Sequence, residues 1–221
     1  MILLTGGSGL LGAEIRKLIS DIYAPTHKEF DILNPKFIPS VDLIVHTAAY
    51  TQVDRAEINR NECYRLNVEG TRNLSRLGIP MLYISTDSVF GGETGNYNEN
   101  DIPYPKNFYS LTKFLGEQQL DDYSVIIRTA FRKRPWRYEY ASTDRYSSAD
   151  YVDNMAVEIV KAIRLFDKLP KVVHIGADRK SHYELAKISR PDIKPISNES
   201  IPVPRPVDTS LDSSLWRTLS K

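Results

Sequence analysis

The stretch Met1-Ile2-Leu3-Leu4-Thr5-Gly6-Gly7-Ser8-Gly9-Leu10-Leu11-Gly12 decides the fold. A short apolar run that breaks at paired glycines reads as a buried strand entering a tight turn. Leu10, Leu11, Ile15, Leu18 and Ile19 then recur at helical spacing. Between strand and helix, Gly6, Gly9 and Gly12 form a G-x-x-G-x-x-G pattern. Such a turn needs residues that can take positive φ and that carry no side chain to block a pyrophosphate. The helix start adds unpaired N–H groups and the positive end of a dipole. A glycine triplet alone is a weak signal; strand before and helix after give it meaning. Gly6, Ser8, Gly9, Leu10, Leu11 and Gly12 are therefore candidate dinucleotide-binding residues.

Outward from this turn the chain keeps alternating. Strands are expected at residues 22–24, 41–46, 81–85, 125–127 and 171–175, and helices at 61–77, 109–121, 152–166 and 181–190. That alternation implies crossover units and an α/β fold, a doubly wound parallel sheet of Rossmann type. Residues 131–150 lack a clear period and read as a loop leaving the sheet, and residues 191–206 are proline-rich. The chain divides into a dinucleotide-binding domain, 1–130, and a small, reduced C-terminal substrate lobe, 131–221, intertwined with it.

Composition narrows the function class. The 221 residues are 41% hydrophobic and 26% charged, with a formal net charge of +1, so no overall field draws the chain to nucleic acid or an anionic membrane. No apolar run approaches a membrane span, and residue 1 leads straight into a strand, leaving no room for a signal peptide. The lone Cys63 can form no internal disulfide. The expected setting is cytoplasmic. His27, His46, His174 and His182 lack metal-ligand spacing, so no metal is expected.

An acidic residue closing the second strand would grip the ribose of NAD, whereas a basic one would accept the 2′-phosphate of NADP. Here Pro25-Thr26-His27-Lys28 precede the first carboxylate, Glu29. This favours NADP, with Thr26 and Lys28 near the 2′-phosphate; NAD, with these as solvated loop residues, stays open.

Tyr109 and Lys113 stand four residues apart, on one face of the expected helix. Reducing a ketone requires a proton on oxygen, and a phenol is a poor acid with a reference pKa of about 10. A neighbouring ammonium and the positive charge of an oxidised nicotinamide both favour phenolate, so together they are expected to lower the pKa of Tyr109 toward neutral. Tyr183 and Lys187 repeat the spacing but follow the last strand. Tyr109 follows the strand ending in Ser85-Thr86-Asp87, at the sheet edge where such folds bind ligands.

With these residues in place, the chain resembles the dTDP-4-dehydrorhamnose reductase branch of the extended short-chain dehydrogenases. The matching segments are Thr47 to Glu57, Asn67-Val68-Glu69-Gly70-Thr71, Ile84 to Phe90, Tyr109 to Lys113, Arg128-Thr129 and Arg205 to Asp212. The resemblance implies that Thr86 binds the substrate carbonyl, Tyr109 donates the proton, and Lys113 binds the nicotinamide ribose while tuning Tyr109. It implies Asp31, Ile32, Ala48, Ala49, Tyr50 and Asn67 at the cofactor, and Thr51, Val53, Asp87, Ser88 and Phe131 in the sugar pocket. The implied reaction reduces C4 of a nucleotide-linked 4-keto-6-deoxy sugar. Ser88 stands where related dehydratases carry glutamate, which favours a reductase. A homodimer paired through residues 61–77 and 109–121 is implied by analogy.

The chain departs from the pattern in two places. The connection from the second strand to residue 40 is short, so one sheet-covering helix reads as vestigial. The later D-Q-x-G-x-P-T pattern survives only as Asp144-Arg145-Tyr146-Ser147-Ser148-Ala149. The basic stretch Arg132, Lys133, Arg134 and Arg137, with Trp136, reads as a diphosphate clamp with a stacking ring, an RNA-binding loop, or a solvated loop. Two further functions compete with the reductase: a nucleotide-sugar epimerase, and a catalytically silent NADP-binding subunit that regulates a partner enzyme.

Overall fold

The computed structural model describes residues 1–36, 40–200 and 205–221. Strands β1 (Ile2–Thr5), β2 (Ile22–Tyr23), β3 (Leu43–His46), β4 (Met81–Thr86) and β5 (Val125–Thr129) build most of a parallel sheet. Short strands β6 (Phe131–Arg132), β7 (Tyr140–Ser142), β8 (Tyr146–Ser147) and β9 (Asp150–Tyr151) follow outside it, and β10 (Val172–Ile175) returns to close the edge beside β5. The sheet order is β10-β5-β4-β3-β1-β2, the doubly wound arrangement expected from the sequence. Its order reverses between β1 and β3, and ligands of such folds bind outside the carboxyl ends at that switch point.

Helix α1 (Leu10–Leu18) is followed by α2 (Val53–Ala56), α3 (Arg60–Tyr64), α4 (Gly70–Ser75), α5 (Phe108–Glu117) and α6 (Val152–Arg164). Successive strand residues point to opposite faces. Leu4, Val45, Leu82 and Ile127 therefore meet Ile15 of α1 and Met155 and Ile159 of α6 in one core. Leu3, Ile44, Tyr83 and Ile126 meet Leu74 of α4 in the other. Strands apolar on both faces need helices on both sides, which is why the short run in residues 1–5 already predicted a buried parallel sheet.

Chain beyond residue 130 is woven into this sheet, since both α6 and β10 lie in its layers. The remainder, with β11 (Lys180–Ser181), α7 (His182–Ser189) and β12 (Lys194–Ile196), packs its own cluster around Trp136, Tyr151, Leu185 and Ile193, whereas α8 (Ser214–Leu219) returns Trp216 to the main core beside β10.

Several expectations shift in detail. The helix at 61–77 is divided into α3, a π-helical turn at Arg65–Glu69, and α4. No helix forms among the described residues between β2 and β3. Phe30 and Ile32 cover the sheet there instead, and a Cβ at Gly70 would meet Ile32 Cδ1 at 2.7 Å, so glycine admits that side chain. Residues 131–150, expected as a loop, carry three short strands, the start of a fourth and a buried tryptophan.

Candidate active site

Gly6 adopts φ +74°, and a Cβ there would stand 2.6 Å from the Ala48 nitrogen. The turn after β1 thus touches the loop after β3 at the switch point, and only glycine permits both the dihedral and the approach. A Cβ on Gly12 would run into the Gly6 carbonyl. Ser8, Gly9 and Leu10 are exposed, and α1 starts at Gly9 with no side-chain cap and no acidic residue in its first turn. Leu11 is buried in the core and anchors the helix. An uncapped, uncharged helix start behind a bare glycine cradle fits a pyrophosphate.

The loop after β3 is held from below. The Asn67 amide accepts from Tyr50 N at 2.8 Å and donates to Tyr50 O at 3.1 Å and Thr112 Oγ1 at 3.0 Å. Ala48 and Ala49 remain partly exposed above it. Asn67, expected at the cofactor, is buried with both ends of its amide engaged in holding that loop. Ile32 is likewise a core residue, and Asp31 accepts from Leu33 N at 2.9 Å within its own turn. Thr26 and Lys28 are exposed, but the turn folds Glu29 back so that one carboxylate oxygen accepts from both the Thr26 amide and hydroxyl at 2.8 Å. These bonds hold the Glu29 carboxyl below its ordinary value. A carboxylate therefore stands beside the residues expected to meet a 2′-phosphate, which their order in the sequence did not suggest.

Helix α5 begins where the Asn107 side chain accepts from Ser110 N at 2.9 Å, and it carries Tyr109, Lys113 and Glu117 at successive fours. Glu117 Oε1 accepts from Ser85 Oγ at 2.5 Å and Arg128 Nε at 3.1 Å, and Oε2 from Arg128 Nη2 at 2.8 Å. Glu117 and Arg128 are 3% and 5% exposed, so this pair pins α5 to β4 and β5 out of water. Removing one member of such a pair strands the other charge. Glu117→Ala is expected to cost about 3–5 kcal/mol in urea unfolding, with most of it recovered when Arg128 is also replaced by methionine. A double variant as unstable as the single one would refute this.

At the end of β4, Thr86, Asp87 and Ser88 form a tight polar turn. Thr86 Oγ1 accepts from Ser88 N at 3.2 Å, and the Thr86 and Ser88 hydroxyls both donate to Asp87 Oδ1 at 3.2 Å. Thr209 Oγ1 donates to Asp87 Oδ2 at 2.6 Å. Tyr109 packs with Tyr50, Ala56 and Cys63, and its phenol lies within reach of Thr86, Asp87 and Arg132.

The electrostatics reverse one expectation. Burial, and then the Asp87 carboxylate, raise the Tyr109 pKa above its ordinary value, while Thr86 and the Arg132 cation act the other way. Lys113 does not supply the expected acidification. Its Nζ donates to Ile84 O at 2.9 Å and lies 4.0 Å above the Tyr83 ring. Burial lowers its pKa to about 7. Tyr109 is thus held protonated, ready to give a proton rather than take one.

Of the residues expected around a sugar, Ser88, Phe131 and Val53 are partly buried and Thr51 is exposed. Of the three readings left open for the basic stretch, the diphosphate clamp with a stacking ring does not assemble. Trp136 is 5% exposed and donates from Nε1 to Tyr140 O at 3.1 Å, so it stacks on no ligand base. Arg134 lies 4.2 Å over the Tyr151 ring and pairs with Asp153, Arg137 lies over Tyr138, and Lys133 is exposed. Arg132 alone of the four reaches Tyr109. Tyr183 packs into the C-terminal cluster with Lys187 Nζ 5.5 Å above its ring, away from the sheet edge. Thr209, Arg145 and Arg205 gather near Asp87 and Arg132; their segments, Arg205 to Asp212 and the remnant at Asp144-Arg145, carried the resemblance but assigned them no role in the site.

The model for the family described as RmlD substrate binding domain matches residues 1–132. The chain belongs to the dTDP-4-dehydrorhamnose reductase family. It is 35% identical over 149 residues to the dTDP-4-dehydrorhamnose reductase of Aggregatibacter actinomycetemcomitans, covering 59% of this chain and 51% of that one. The chain thus spans about half the length of the curated reductases it matches. It is also 31% identical over 138 residues to methionine adenosyltransferase 2 subunit beta of Bos taurus, covering 53% of this chain and 41% of that one. Among solved structures, the dTDP-4-dehydrorhamnose reductase of Bacillus anthracis in complex with NADP superposes with a TM-score of 0.84 at 28% identity, over 98% of this chain and 92% of that one. Within this family the described residues include no helix long and apolar enough to cross a membrane.

Proposed function

We propose that this chain is an NAD(P)H-dependent reductase of a nucleotide-linked 4-keto-6-deoxy sugar, of the dTDP-4-dehydrorhamnose type, serving deoxysugar biosynthesis. The observation that carries the reading is a protonated Tyr109 set beside the Thr86 hydroxyl at the carboxyl end of β4, on the same sheet edge as the glycine cradle. Reduced nicotinamide, when bound, supplies the hydride for C4. Gly6, Ser8, Gly9, Leu10 and Gly12 hold its pyrophosphate, Ala48, Ala49 and Tyr50 line its course, and Lys113 serves its ribose. Thr86 orients the substrate carbonyl, and Tyr109 delivers a proton to its oxygen. Arg132 favours the phenolate that remains, since a nearby cation stabilises the anion. Residues 1–130 serve chiefly the cofactor and residues 131–221 the sugar. The proposal includes the NADP preference, a cytosolic setting, and a homodimer paired across α5, whose Leu111 is exposed.

The test is oxidation of NADPH and NADH against a panel of dTDP-, UDP- and GDP-linked 4-keto-6-deoxy sugars. Stoichiometric oxidation with at least one sugar is expected. Isomerised product with no net oxidation would instead make the chain an epimerase, and silence across the panel would overturn the reading. The identity to the methionine adenosyltransferase subunit favours one second reading, a dinucleotide-binding regulatory subunit. That reading expects tight NADP binding without turnover.

A further inference from the structure

The last described segment crosses the molecule as a strap between two loops. On one side Asp208 N donates to Gly92 O at 3.1 Å, and Tyr97 N donates to Ser210 O at 2.9 Å. On the other, Thr209 N donates to Tyr146 O at 3.0 Å and Tyr146 N to Val207 O at 2.7 Å. Ser148 Oγ accepts from Leu211 N at 3.0 Å, and Arg179 Nε donates to Asp208 Oδ2 at 2.7 Å. Gly92 and Gly95 take φ +81° and +67°, and a Cβ on them would run into Pro206 and Asp208 respectively, so glycine lets the strap lie this close. Thr209, 2% exposed at the strap's centre, donates its hydroxyl proton to Asp87 Oδ2 at 2.6 Å.

That bond bears on where the Thr86 proton can go. A hydroxyl carries one proton and can accept as well. Thr86 Oγ1 accepts from Ser88 N at 3.2 Å and gives its proton to Asp87 Oδ1, also at 3.2 Å. To bind a carbonyl oxygen it must take that proton away from the carboxylate. Asp87 is buried, and a buried charge that loses a donor suffers a desolvation cost. With Ser88 Oγ on Oδ1 and Thr209 Oγ1 on Oδ2, each carboxylate oxygen keeps a donor after Thr86 turns away. Without the Thr209 hydroxyl, Asp87 would retain Ser88 alone of the three, and the Thr86 proton would be held back. The Thr209 bond also orients the carboxylate, because among the described residues it is the one donated from outside the Thr86-Asp87-Ser88 turn.

We propose that Thr209 is a positioning residue: by holding Asp87 Oδ2 it orients the carboxylate and frees the Thr86 proton for a substrate carbonyl. This rests on the reading above, in which Thr86 meets that carbonyl. Thr209 acts through Asp87 and Thr86, and its hydroxyl, rather than the docking of the strap as a whole, carries the effect.

The experiment compares Thr209→Val, which keeps the shape and loses the hydroxyl, with Thr209→Ser, which keeps the hydroxyl, in the full chain. NADPH oxidation with the keto-sugar panel gives kcat/KM, and threonine-methyl NMR gives the Thr86 signal, assigned through Thr86→Val. Thr209→Val is expected to lower kcat/KM for the sugar about tenfold, the scale of one hydrogen bond to a charged group, with NADPH affinity unchanged. Its Thr86 methyl signal should move from the wild-type position. Thr209→Ser should keep both at the wild-type level. Ser148→Ala loosens the strap at Leu211 but leaves the Asp87 bond in place, so it should lower the melting temperature and keep kcat/KM. Should Thr209→Val fail to fold, Thr209→Ala takes its place with the same outcomes. Wild-type kcat/KM in Thr209→Val, or an equal loss in Ser148→Ala, overturns the proposal. If no keto sugar is turned over, the reductase reading falls and the Thr86 signal decides. A displacement in Thr209→Val that is absent from Thr209→Ser upholds the positioning, and an unmoved signal overturns it.

Discussion

Tyr109→Phe is expected to lower kcat about a thousandfold while leaving NADPH affinity nearly unchanged, since a positioned general acid contributes roughly 10²–10⁴ in rate. The substitution removes one oxygen and keeps the ring that packs with Tyr50, Ala56 and Cys63, so the fold has no reason to move. The loss should appear in kcat rather than KM, because the proton matters only as the carbonyl oxygen gains charge. Steady-state NADPH oxidation gives the first quantity, and a fluorescence titration of NADPH gives cofactor affinity. Wild-type turnover in the variant would mean that another group supplies the proton. Because burial and Asp87 raise the Tyr109 pKa, the phenol keeps its proton across the neutral range. Neutral pH should therefore bring no loss of rate through its deprotonation.

Acid should unfold the protein steeply. His46, His174 and His182 are all buried, and burial lowers the first to about 3, the second to about 4 and the third well below its ordinary value. His46 is fixed between Thr5 Oγ1 at 2.7 Å and Thr71 Oγ1 at 3.1 Å, and His174 Nδ1 meets Tyr97 O at 2.9 Å. Below a pH of about 6.5 the unfolded chain takes up protons on these rings while the folded chain does not, so stability falls as pH falls. Each histidine contributes a slope of about 1.4 kcal/mol per pH unit between its unfolded and folded pKa values. Urea unfolding at pH 7, 6 and 5 should yield an uptake of roughly two to three protons on unfolding near pH 5. A stability that stays level from pH 7 to 5 would show that these rings already carry protons in the native state.

The sheet was legible in the sequence because its signals are local. Four apolar residues before Gly6 mark a buried strand, and the apolar spacing after Gly9 marks the helix that follows. Tyr109 and Thr86 were legible for the same reason, each being tied to the end or start of a regular element. What the sequence hid depends on distance along the chain. Nothing near Arg205 indicates that it meets Asp54, 151 residues earlier, and nothing near Arg145 indicates His182. The basic stretch at 132–137 left a clamp, an RNA-binding loop and a solvated loop all open, because adjacent charges look alike in a sequence whatever they meet in the fold. The fold instead turns Trp136 inward and lays Arg134 and Arg137 over the Tyr151 and Tyr138 rings. Lys113 misled differently: the four-residue spacing puts it on the face of Tyr109, yet its long side chain reaches under the sheet edge to Ile84.

The bond between Thr209 and Asp87 joins residues 122 positions apart, and the same tail pairs with Tyr97 and Ser148 on its way past. During synthesis the glycine turn, β4 and α5 all leave the ribosome long before the segment that finishes the carboxylate's surroundings. Contacts so remote in sequence are slow to form. A ribosome that stalls before residue 209 would therefore release a chain with its sheet largely present and its reactive corner open.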